Sequence, residues 1–175
     1  MTPLPKHILS HPKLIHKYRP NVAAIIQRKN GDVLWCERNH HPYYWQFPQG
    51  GVDEGETLEE ALFRELKEEL GLKEPSAVLK IVKKREKTSR YIFPAHIISK
   101  YLNSGRSSYI GQEQNWFLLS FTGTDDDVNI NFEGSDCEFR SFCWGGAELL
   151  PRVSFLKRKT YRKLFSEFDI STHKR

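Results

Sequence analysis

A chain of 175 residues with 38% hydrophobic and 13% aromatic content suits one domain around one core, and is too apolar for a disordered chain. The net charge of +5 favours a polyanionic partner such as a nucleotide, RNA or an acidic surface. No run approaches the roughly 18 apolar residues of a membrane helix, and the first twenty residues lack the apolar stretch of a secretion signal, which argues against membrane-spanning and secreted classes and for a soluble protein. The three cysteines, Cys36, Cys137 and Cys143, are odd in number and not at metal spacing; they read as reduced, buried thiols of a cytoplasmic protein.

In chain order, residues 1–17 mix Pro and His without a period and read as an irregular arm. A single domain is expected over 18–170, followed by a frayed tail, 171–175. The run 22–27 is β-rich, Lys29-Asn30-Gly31-Asp32 signals a turn, and 33–36 completes a hairpin. A polar and aromatic loop, 40–44, precedes Trp45-Gln46-Phe47-Pro48 and Gly50-Gly51. Thr57 and Glu60 form a T-x-x-E capping box that opens a helix ending at Leu70, with Gly71 as its C-cap and Ala61, Leu62, Leu66 and Leu70 as its buried stripe. Short β-like runs follow at 77–82, 90–94, 116–121 and 139–144, with 103–114 expected to be a loop. The acidic turn 122–127 lacks the spacing and glutamate of a calcium loop. A last helix is expected over 154–168, with Tyr161, Leu164, Phe165 and Phe168 facing the core. Its Lys157, Arg158, Lys159, Arg162 and Lys163 are either a solvated face or, in part, a phosphate contact.

The informative segment is 50–72, GGVDEGETLEEALFRELKEELGL. Glu65, Glu68 and Glu69 lie at i, i+3 and i+4 and share one helix face. Three clustered carboxylates raise one another's pKa unless cations intervene, and hard cations such as Mg²⁺ take oxygen ligands and bridge carboxylates to phosphates. A glutamate-rich solvent face is the plainer reading of such a run. The surroundings weigh against it: Arg64 sits four residues before Glu68, Glu56 lies in the preceding loop, and Gly50, Gly51 and Gly55 allow that loop to turn tightly.

The segment matches the pattern G-x5-E-x7-R-E-U-x-E-E-x-G-U, with U aliphatic: Gly50, Glu56, Arg64, Glu65, Leu66, Glu68, Glu69, Gly71 and Leu72 fill every defined place. It resembles the Nudix hydrolases. That resemblance implies an α+β fold, an α/β/α sandwich with a central mixed sheet, and a metal-dependent hydrolase of phosphoanhydride bonds using one to three Mg²⁺ or Mn²⁺ ions. It also implies Glu65, Glu68 and Glu69 as main metal ligands, a backbone carbonyl of Gly50 offered to metal, and Glu56 and Arg64 as supporting residues behind them.

Further segments carry a narrower likeness: Tyr18-Arg19-Pro20-Asn21-Val22, Trp45 to Gly51, Ile110-Gly111-Gln112 before Trp116-Phe117-Leu118-Leu119, Glu138-Phe139 before Trp144, and Val153-Ser154-Phe155. Over roughly 18–168 they resemble the bacterial branch acting on RNA 5′ ends or dinucleoside polyphosphates. This likeness implies removal of pyrophosphate from triphosphorylated RNA, which promotes mRNA decay, or alternatively hydrolysis of diadenosine polyphosphates. Glu138 is then a metal ligand or a helper of the base, with Glu68 and Glu69 the other candidate bases. Arg19, Arg38 and Lys157 stand near the phosphates, and Tyr91 and Phe155 sandwich a nucleobase. The bland alternatives are surface solvation for the charges and core packing for the two rings. The last helix carries one residue more between Ser154 and Lys157 than the family pattern, so Phe155 or Leu156 takes the stacking place. The N-terminal arm is longer than in the pattern, and 86–90 is slightly extended. A non-catalytic binding module and an enzyme clearing oxidised nucleotides are the remaining readings. No membrane partner is expected, and a monomer is favoured.

Overall fold

The computed structural model describes residues 5–72, 78–105, 108–131 and 137–170; the expected tail 171–175, the first four residues of the arm and Ala77 of a predicted strand lie outside them. The organising element is β1 (Ile15–Arg28). Its side chains alternate between two cores, Val22, Ala24 and Ile26 on one face and Ala23 and Ile25 on the other, all 1% exposed or less. A strand with period two and both faces buried belongs at the centre of a three-layer sandwich. On one face lies α2 (Leu58–Leu70), burying Ala61, Leu62, Phe63, Leu66 and Leu70. On the other lies α4 (Phe155–Glu167), burying Tyr161, Leu164 and Phe165.

The eight-stranded sheet is mixed, which bears out the expected fold class. β1 runs parallel to β7 (Tyr109–Phe121), from Tyr18↔Gly111 to Arg28↔Phe121. The other pairings are antiparallel. The predicted hairpin survives only at its turn, Gln27↔Val33, beyond which β2 (Val33–Arg38) pairs with β3 (Trp45–Gln46) and β8 (Phe139–Gly145). β4 (Gln49–Gly51) lies along β1 at Asn21–Ala23, while β5 (Leu79–Lys84) and β6 (Ser89–Ile92) line β7.

Two expectations are corrected. Of 103–114, expected to be a loop, Asn103 and Ser104 end α3 (Ala95–Ser104) and 109–114 belong to β7, while 106–107 lie outside the described residues. The helix has no polar N-cap, because Pro94 stands there. Its stability comes from packing, with Ile98 and Leu102 buried against Ile8 and Leu14. That contact also corrects the irregular arm: α1 (Lys6–Leu9) and Leu14 form a third small core with α3, and β1 already starts at Ile15. The acidic turn folds as a 3₁₀ turn, Asp125–Asp127. Asp125 pairs with Arg28, whose guanidinium lies 3.8 Å over the Trp144 ring, and Trp144 Nε1 donates to the same carboxylate at 2.8 Å. Among the described residues no helix is long and apolar enough to cross a membrane.

Candidate active site

The motif builds a rigid corner. Thr57 and Glu60 cap α2 reciprocally, and Gly71 closes it in the left-handed conformation, φ 68°. Arg64 then welds the loop to the helix. Its guanidinium donates to Glu56 at 2.6 and 2.9 Å, to the Gly51 carbonyl at 2.8 Å and to Glu65 at 2.9 Å. Hydrogen bonding from Arg64, then from the Asp53 N–H, pulls the Glu56 carboxyl down to about 2.

The glutamates on the shared face take different places. Glu69 is 7% exposed. Its Oε2 accepts from the Gln49 N–H at 3.0 Å, while its Oε1 is buried with no donor. Burial first, then the nearby Glu138 and Glu65 carboxylates, push its pKa well up. Burial also raises Glu65, against the pull of Arg64. Glu138 emerges just before β8 and is held by Gln46 Nε2 at 3.2 Å and by Arg38 at 3.9 Å. Glu68 stands outside this group, its side chain 53% exposed and touched by Arg64 at 3.5 Å.

Glu65, Glu69 and Glu138 thus converge as mutually repelling oxygens. Among the described residues no three His, Cys, Asp or Glu side chains form a ready-made ligand cage. The donor set nonetheless fits a hard divalent cation: all donors are carboxylate oxygens, one of them is orphaned in the interior, and two have raised pKa values that a cation would offset.

Gly50 completes the corner. A Cβ there would stand 1.7 Å from the Glu65 carboxyl carbon, so any side chain would displace the carboxylate. Gly50→Ala is expected to lower kcat/KM about a hundredfold with an unchanged melting temperature, because an ångström-scale misplacement costs about that much. An active Gly50→Ala enzyme would show that Glu65 need not sit there.

Arg19, Arg38 and Lys157 line a cleft of about 790 Å³ together with Glu65 and Glu138. Arg19 packs its guanidinium on Gly51, where a Cβ would come within 2.1 Å of it. Arg38 has a buried Nε without a partner. Lys157 is half-buried, and its ammonium donates to Gln46 at 3.1 Å and Gln49 at 2.7 Å. Burial, then the neighbouring Arg38 charge, brings it down to about 7 against the pull of Glu138 and Glu69. Tyr91, Phe155 and Leu156 line the same cleft. Phe155 is 74% exposed, which removes the core-packing reading for that ring. Tyr91 packs edge-on against Phe93 and donates its hydroxyl to Gln112.

Under the cleft lies an aromatic floor. Phe47 stacks between Trp35 at 4.4 Å and Tyr161 at 4.6 Å, and its N–H donates to the Tyr161 hydroxyl at 3.0 Å. Sequence reasoning quoted Gln46, Gln49 and Asn21 without a role and put Gln114 at the end of an expected loop.

The NUDIX domain model matches residues 17–168. An RNA pyrophosphohydrolase of Wolbachia pipientis wMel is 38% identical over 155 residues, covering 87% of this chain and 90% of the relative. One from Shewanella denitrificans is 41% identical over 157 residues, covering 89% and 87%. Among solved structures, the Escherichia coli dihydroneopterin triphosphate pyrophosphohydrolase superposes with TM-score 0.65 at 20% identity, covering 86% of this chain and 99% of that one. A Caenorhabditis elegans Ap4A hydrolase complex gives 0.57 at 20% identity, covering 85% and 96%. These two likenesses concern the fold.

Proposed function

The chain belongs to the NUDIX family and is a hydrolase acting on pyrophosphate bonds, and from that premise we propose that it removes pyrophosphate from triphosphorylated 5′ ends of RNA with Mg²⁺ or Mn²⁺. The observation that carries this reading is the 38–41% identity to RNA pyrophosphohydrolases over nearly the whole chain. The cleft supports it, lined by carboxylates, by Arg19, Arg38 and Lys157, and by the exposed ring of Phe155. The reading carries with it a cytoplasmic, monomeric enzyme.

Glu65, Glu69 and Glu138 would hold one to three cations, with Glu68 contributing from the outer side and Gly50 through its carbonyl. Such an ion, when bound, lowers the pKa of water and neutralises charge on a leaving pyrophosphate. Arg19, Arg38 and Lys157 bind the polyphosphate and stabilise that leaving charge. Glu69 or Glu138, with Glu68 the remaining candidate, would take the proton of the attacking water. Tyr91 and Phe155 flank a base near the 5′ end.

The test compares kcat/KM on 5′-triphosphorylated RNA and on diadenosine tetraphosphate, each with Mg²⁺ and with Mn²⁺. We expect the RNA to be preferred at least tenfold. Preference for the dinucleotide would move the assignment to dinucleoside polyphosphate hydrolysis with the same carboxylates. Turnover of neither would remove both substrates.

A further inference from the structure

Lys157 is a cleft cation whose hydrogen bonds go to two amide oxygens, Gln46 Oε1 and Gln49 Oε1. A carboxamide presents its oxygen or its NH₂ according to what fixes it. Here the fixing comes from Gln114, 1% exposed on β7. Its Nε2 donates to Gln49 Oε1 at 2.8 Å and to Asn21 Oδ1 at 3.3 Å. Asn21 is itself 1% exposed and is the β1 register partner of Gln114, and its carbonyl accepts from Asn115 Nδ2 at 3.3 Å.

Both hydrogens of the Gln114 amide are therefore spent, and both lone pairs of Gln49 Oε1 are filled, one by Gln114 and one by Lys157. A flipped Gln49 would turn its NH₂ towards two donors, so the network is consistent in one orientation only. The chain continues past the ammonium through Gln46, whose Nε2 donates to Glu138. With two of its three N–H groups committed, Lys157 keeps one for the cleft.

We propose that Gln114 is a positioning residue for the polyphosphate-binding cation: acting through Gln49 from inside the sheet, it holds the Lys157 ammonium in place before substrate arrives. The proposal rests on the role given to Lys157 in the proposed function. Orientation fixed in advance by supporting hydrogen bonds lowers the cost of reaching the reactive arrangement.

The test is a double-mutant cycle. Gln114→Met keeps volume and burial but removes the amide; Lys157→Met removes the cation. On triphosphorylated RNA, Gln114→Met is expected to lower kcat/KM about tenfold, mainly through KM, in the wild-type background. It is expected to change nothing further in the Lys157→Met background, because the group it acts through is gone. Effects that multiply in the double variant would overturn the proposal, as a purely structural Gln114 would act equally in both backgrounds. Should Gln114→Met fail to fold, Gln49→Met in the same cycle asks the same question of the intermediary, with the same two outcomes. If the wild type cleaves diadenosine tetraphosphate and not RNA, the RNA assignment falls, and the cycle read on the dinucleotide still upholds or overturns the role of Gln114.

Discussion

Glu69→Gln should abolish turnover while leaving the protein as stable as before, or more so. The loss of kcat/KM is expected at about 10²–10⁴, the range for removing a group that handles a proton in the transition state. The stability side follows from burial. A carboxylate 7% exposed, with one oxygen lacking a donor and two like charges nearby, is held in the fold against its own solvation. Gln keeps the shape and removes the charge. The pH dependence has a definite sign. The folded-state pKa of Glu69 is raised, so its contribution is fully present below the unfolded value near 4.5 and is lost as pH rises through the folded value. In metal-free protein the stability of wild type should fall relative to Glu69→Gln as pH climbs above about 4.5. Chemical unfolding of both proteins from pH 4 upward reads this directly. A constant gap across that range, or an active Gln variant, would contradict the role given to this residue.

Phe47→Ala should be the most destabilising change near the site. The ring is fully buried between Trp35 and Tyr161 and edge-on to Trp116. Truncating such a side chain costs about 3–5 kcal/mol. At about 2–4 °C per kcal/mol for a domain of this size, the melting temperature should drop by roughly 6–20 °C. The position lies between Gln46 and Gln49, so the folded fraction should also lose affinity for substrate as Lys157 loses its anchors. A fall of under about 3 °C would mean the aromatic floor collapses freely onto the gap.

What could be read in the sequence was what the chain decides locally. Every strong hydrogen bond of Arg64 falls within 13 residues, so the motif's spacing already contained the loop–helix corner. The division of labour among its glutamates was not legible. At about 100° per residue, Glu69 lies roughly 40° to one side of Glu65 and Glu68 roughly 60° to the other, all on one face. Only the docking of β4 decides that Glu69 goes under Gln49 while Glu68 stays in water. Glu138 meets Gln46 across 92 residues of sequence, a pairing no spacing announces. The same holds for α3, whose N-terminus lacks a polar cap and whose stability depends on Ile8 and Leu14 of the arm. Phe155, at the first position of the expected helix, was ambiguous between core and cleft, because its exposure of 74% is set by packing that spacing does not announce.

The sequence separation of 108 between Gln49 and Lys157 has a bearing on synthesis. Chains emerge from the ribosome N-terminus first, and units fold as they complete. A nascent chain that has passed β8 already owns Glu65, Glu68, Glu69, Glu138 and the motif corner. It still lacks the last helix, which brings Lys157 to the cleft and Tyr161 to the floor. Until that helix arrives, the sheet face that packs on Tyr161, Leu164 and Phe165 is bare and the cleft lacks Lys157. A chain interrupted before α4 is therefore expected to show no turnover, which an activity assay on a chain truncated at Arg152 would read.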